Sequence, residues 1–132
     1  MADYKTDRYE VTKLTKSIIK IHSLETSGLS LKDAKEVAKL IDELANGNKF
    51  AILRTTSNNF FSTDRVRSLV ASKQFAKYRY AMAFVVHSSA NKISAEFYIQ
   101  FHKPVSLTKI FNDEKKALEW LKEQEEIQYG KD

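Results

Sequence analysis

The densest chemical signal in the chain is a run of cations beside a loop rich in hydroxyls. Between Lys49 and Arg79 stand seven cations (Lys49, Arg54, Arg65, Arg67, Lys73, Lys77, Arg79) against one acid, Asp64. Within that run, Thr55 to Asp64 reads Thr-Thr-Ser-Asn-Asn-Phe-Phe-Ser-Thr-Asp and leads into a helical pattern. Exposed amides at a helix start favour an anion, and Arg54, Arg65 and Arg67 surround this one. A phosphate there would gain charge-assisted hydrogen bonds from the arginines. The chemistry therefore points to a phosphoacceptor in the loop or to a docking place for an acidic protein partner, with Phe60 adding an apolar contact where it is exposed. A plainer account is that Ser62 caps the helix and the cations form a solvated face.

Other reactive residues are weaker signals. His87-Ser88-Ser89 suggests a nucleophile and base, but no Gly-x-Ser-x-Gly elbow is present and a capping serine explains the spacing. His22, His87 and His102 show no metal-ligand spacing, cysteine is absent, and Gly28, Gly47 and Gly130 form no phosphate loop. The expectation is a chain without catalytic residues, metal or cofactor. Phe60, Phe61, Phe75, Tyr78 and Tyr80 among the cations raise nucleic acid as a partner. Against it stand a modest net charge of +5 and an acidic tail with Glu119, Glu123, Glu125 and Glu126.

The elements that position these residues are readable in outline. Residues 9–14 and 17–22 are β-branched runs that suggest a hairpin, though Thr15-Lys16 lacks the usual turn glycine. Ser30 with Asp33 forms a capping-box variant ahead of Leu31, Ala34, Val37, Ala38, Ile41 and Ala45, a helical stripe closed by Asn46-Gly47. Lys49 to Arg54 is a short strand. The next helix is predicted from Ser62 to about Lys77, with Phe61 and Val66 spaced as a hydrophobic staple. Tyr80 to His87 is a continuous apolar strand of the kind covered on both faces. Ile93 to Phe101 fits both an alternating strand and a helical face through Ala90, Ile93, Phe97 and Phe101. Val105 to Phe111 reads as a strand, and Asn112 or Asp113 opens a last helix burying Ala117, Leu118, Trp120 and Leu121.

At 132 residues, 42% apolar, the chain suits one domain, 1–132, with its core at about 8–127. No apolar run approaches a membrane span and no signal peptide is visible, so a cytoplasmic domain is expected. A homodimer is left open. Strands alternating with helices imply right-handed crossovers and a mainly parallel sheet.

The pattern resembles a known family. Ala83-Phe-Val-Val-His-Ser-Ser, Phe97, Phe101-His-Lys-Pro104 and Ile110-Phe-Asn-Asp-Glu-Lys-Lys-Ala-Leu-Glu-Trp-Leu121 look like the SpoIIAA-like (STAS-type) small bacterial domains. The resemblance implies helix for Ile93–Phe101 and a single α/β domain. Its sheet would have four to five strands, an N-terminal hairpin and about four helices. It also implies a regulatory, partner-binding role worked through the loop and helix start at 54–67. In the anti-sigma-factor antagonists of this fold a serine in an Asp-Ser-Ser-Gly-type motif is phosphorylated. That motif is absent here, and the positional equivalents are Ser62 or Thr63, with Ser57 further back. The related fold of lipid carriers suggests small hydrophobic-ligand binding as an alternative, by analogy of fold.

Overall fold

A computed structural model describes residues 2–24, 28–56, 60 and 63–130. Six strands form one sheet whose spatial order repeats the chain order. They are β1 (Tyr4–Lys5), β2 (Tyr9–Lys13), β3 (Ile18–Ser23), β4 (Phe50–Thr56), β5 (Arg79–Val85) and β6 (Leu107–Phe111). The first three pair antiparallel, and β3 to β6 run parallel. The sheet thus has more strands than expected, because the two-residue β1 pairs with β2 through Tyr4 opposite Val11. Two residues are too short to leave a periodic trace in sequence.

The hairpin is present without a turn glycine because Thr15 does the work of one. Its hydroxyl accepts the amides of Ser17 at 3.3 Å and Ile18 at 3.0 Å, closing the turn from the side chain. The same hydroxyl and that of Ser17 both donate to Glu125, each at 2.6 Å. One acid of the C-terminal tail therefore holds the hairpin turn.

Helices α1 (Leu31–Ala45), α2 (Asp64–Ala71) and α3 (Ser89–Phe97) each bridge two neighbouring parallel strands, and α4 (Glu114–Tyr129) ends the fold. Strand residues alternate between faces, and the two apolar clusters follow that alternation. Ile19, Ile21, Ile52, Met82 and Phe84 pack with α1, α2 and α3. Ile18, Ala51, Leu53, Ala81, Ala83 and Val85 pack with Ala117 and Leu121 of α4. Three successive crossovers of one hand over a sheet built in one direction must leave all three helices on the same side.

Local chemistry explains where the helices begin and end. Ser30 and Asp33 cap α1 reciprocally, at 3.1 Å in both directions, and Asn46 takes a left-handed conformation (φ 50°) at its end. Helix α2 is shorter than predicted. Thr63, not Ser62, is its cap, accepting the Val66 amide, and the helix stops at Ala71 instead of Lys77. Ser72 turns out of helical backbone, and its hydroxyl donates to the Leu69 carbonyl and accepts the Phe75 amide. Ser62 and the staple residue Phe61 lie outside the described residues.

Residues 93–101 are helical, as the resemblance implies, but in two geometries: α3 continues into a π-helical turn, Tyr98–His102. Lys103, at φ 45°, and Pro104 then end it. The buried side is Asn91, Ala95 and Tyr98, whereas Ile93, Phe97 and Phe101 face solvent.

Asp33 does more than cap. Arg8 donates to both of its carboxylate oxygens from Nε, at 3.0 and 2.9 Å, and adds Nη2 at 2.9 Å. Burial pushes the Asp33 carboxyl up, but the bonds from Arg8 and Ser30 outweigh this and hold it below its ordinary value. A depressed folded value stabilises fully above the ordinary carboxylate range, and that stability is lost as pH falls through the folded value. Asp33→Asn is expected to cost roughly 1–2 kcal/mol at neutral pH. In urea titrations the gap to the parent should shrink as pH falls below 3.8, the ordinary value.

Candidate functional site

The structure separates the three arginines proposed for one anion site. Arg54 is 1% exposed, because β4 is buried along all seven residues and its side chain turns inward under α1. Its guanidinium donates to the carbonyls of Thr55 at 2.5 Å, Ile21 at 3.5 Å and Phe60, and lies over the Phe60 ring. Burial pushes it down to about 9. Phe60 is also fully buried, edge-on to Phe84 at 4.9 Å. Neither residue can touch a partner, so both leave the proposed working surface. Arg54 instead ties the carboxyl ends of β3 and β4 to the chain leaving β4.

Arg67 is half-buried. Its guanidinium sits over the Phe97 ring at 5.6 Å and 3.6 Å from Asp64. That stack joins α2 to α3. Next to it, His102 bridges two turns of α2, with Nε2 2.8 Å from Asp64 Oδ1 and Nδ1 3.2 Å from Ser68 Oγ. The exposed stripe of Ile93, Phe97 and Phe101 runs beside this contact, with the last two rings 4.6 Å apart. Nothing in the spacing of three isolated histidines announces this bridge, since it requires the π-helical turn to be in place.

Of the three arginines, Arg65 alone is fully exposed. It lines an open groove of about 330 Å³ between α1 and α2 with Lys35, Leu31, Ser68 and Leu69. Arg65 and Lys35 make no ion pair among the described residues. Lys35 was missed because it sits on the polar side of α1, where helical periodicity assigns it only to solvent. Only adjacency to α2 turns that position into one wall of a groove.

Of the candidate phosphoacceptors, Thr63 is exposed but its hydroxyl is engaged as the α2 cap, 3.3 Å from the Val66 amide. Ser57 and Ser62 lie outside the described residues. Ser88 is the cap of α3, accepting the Asn91 amide at 3.1 Å, while His87 is exposed. On the other sheet face His22 is half-buried, its Nδ1 2.7 Å from Thr55 Oγ1. Burial and Lys20 lower its pKa. No group of three His, Cys, Asp or Glu among the described residues could share a metal ion. No described helix is long and apolar enough to cross a membrane.

A three-helix layer on one sheet face, a single C-terminal helix on the other and an antiparallel N-terminal hairpin define the SpoIIAA-like fold. An uncharacterised protein of the DUF3478 family from Shewanella loihica PV-4, described with that fold, superposes with a TM-score of 0.59 at 13% identity. The match covers 86% of this chain and 91% of that one. The chain itself belongs to DUF7793, a domain of unknown function whose family model matches residues 12–125. No curated protein matches it.

The contrast between Arg54 and Arg65 is measurable. Arg54→Ala removes three carbonyl contacts and opens a core cavity, and should cost roughly 3 kcal/mol in urea unfolding. Arg65→Ala, at an exposed position, should stay within about 0.5 kcal/mol of the parent.

Proposed function

We propose that this chain is a non-catalytic, regulatory partner-binding module that receives an acidic protein segment in the groove between α1 and α2. The observation that carries the reading is the pairing of Arg65 with Lys35 across one open groove over Leu31 and Leu69. Two exposed cations of like sign favour a negatively charged occupant, and the apolar floor favours one with aliphatic side chains. The working surface stays at the start of α2, as expected from the sequence, but Lys35 replaces Arg54 and the apolar contact comes from the groove floor instead of Phe60.

Nucleic acid is disfavoured by the same geometry. Phe60 is buried, Phe75 is half-buried, and Arg54 and Arg79 lie inside the protein, so the run of cations does not form a continuous outer stripe.

A photo-crosslinking amino acid at Leu69 should give a covalent protein adduct in cells. The double reversal Lys35→Glu with Arg65→Glu should abolish that adduct while leaving the melting temperature within a few degrees of the parent. An adduct of undiminished yield in a folded double variant would refute the reading.

A further inference from the structure

Helix α3 carries its largest aliphatic side chain and two phenylalanines away from the sheet. It buries the small Ala95, while Ile93, Phe97 and Phe101 are 66%, 40% and 62% exposed. In α geometry, residues four apart drift about 40° round the axis. The π-helical turn Tyr98–His102 offsets that drift and keeps Phe101 against Phe97, with ring centroids 4.6 Å apart. Arg67 of α2 holds the Phe97 ring from the side, at 5.6 Å. The three side chains form a straight, braced stripe that exposes roughly 350 Å² of apolar surface, the size at which a patch on a monomer is often functional.

The surroundings of the stripe follow the same spacing. Lys92 and Glu96 are exposed and stand one position before Ile93 and Phe97. Ser89 and Ala90, small and exposed, occupy the first turn, at the far end of the stripe from the bulky Phe101. Turned end for end about the level of Ser94 and Ala95, this pattern matches itself. Ile93 then meets Phe97 of a second copy, Phe101 covers that copy's Ser89 and Ala90, and Lys92 meets its Glu96. Each of these contacts occurs twice, as two-fold symmetry demands. A standard interface takes about 800 Å² from each partner, so the stripe supplies an apolar core and the charged residues a rim.

We propose that the outer face of α3 joins two copies of this chain in a two-fold dimer with the two helices antiparallel. Self-complementarity singles out a second copy, since an unrelated partner needs neither the Lys92–Glu96 spacing nor the small first turn. This surface shares no lining residue with the groove of Lys35 and Arg65, so the dimer goes beyond the role proposed for that groove and does not depend on it.

The test is sedimentation equilibrium of the full chain at low ionic strength. At concentrations up to about 0.5 mM the parent should show reversible monomer–dimer association. Lys92→Glu alone and Glu96→Lys alone each set like charges opposite one another and should weaken self-association at least about tenfold. Mixed in equal amounts, these two variants should form a heterodimer with affinity within about threefold of the parent, because opposite charges again face each other. Phe97→Ala should abolish the dimer in a folded protein, and the charge variants, at exposed positions, decide the matter if it does not fold. The double reversal of Lys35 and Arg65 should dimerise like the parent. A parent that is monomeric at every concentration would overturn the proposal and leave the stripe to a different protein. Single charge variants that associate like the parent, a mixture that fails to pair, undiminished association of folded Phe97→Ala, or loss of the dimer in the groove variant would overturn it equally.

Discussion

Everything in this domain is arranged around the complete burial of strand β4. It lies between β3 and β5, with helices α1 and α2 over one face and α4 over the other, and each of its seven residues is buried. A strand covered on both faces is normally apolar throughout. Here the apolar part is Phe50 to Leu53, and the carboxyl end is Arg54, Thr55 and Thr56. Those three polar residues must find partners inside the protein. Arg54 finds carbonyls, Thr55 faces His22, and Thr56 bonds Ser23 at 2.7 Å. The carboxyl end of β4 thereby becomes a buried polar layer.

This constraint explains which parts of the reading survived. The capped helix at Leu31–Ala45, the strand at Tyr80 and the hairpin were visible because each depends on local signals: a cap, an apolar run, two β-branched segments. Arg54 was misplaced because its environment is set by neighbours far away in sequence. A cation next to Thr55-Thr56 looks solvated until β3 and β5 are paired on either side of it. Phe97 and Phe101 show a different limit. Their spacing marks a helical face, but spacing does not say which face meets the sheet, and the smaller Ala95 with Tyr98 takes that place. The short α2 turned on Ser72, whose hydroxyl competes for backbone groups after the Leu69 turn.

Charge is divided between the two sides of the sheet. The basic groove lies among the helices of one side, and the acidic tail belongs to α4 on the other. Glu125 shows that the tail is not simply a solvated acidic run, since it anchors the turn between β2 and β3. Glu114, at the start of the same helix, meets Lys20 of β3 at 2.8 Å. Net charge is a poor summary of such a molecule, because some of its ions are structural struts and others are solvated and available.

The sheet whose spatial order repeats the chain order has a consequence for how the protein is made. Each strand emerging during synthesis can dock beside its predecessor, and none has to insert between two already in place. The face of Ile18, Ala51, Leu53, Ala81, Ala83 and Val85 is different, because α4 covers it and α4 is made after all six strands. Until Ala117 and Leu121 arrive, a nascent chain with all six strands paired displays an apolar sheet to its surroundings. Synthesis therefore passes through a sticky intermediate, and arrest before α4 would leave an aggregation-prone product instead of a smaller folded domain.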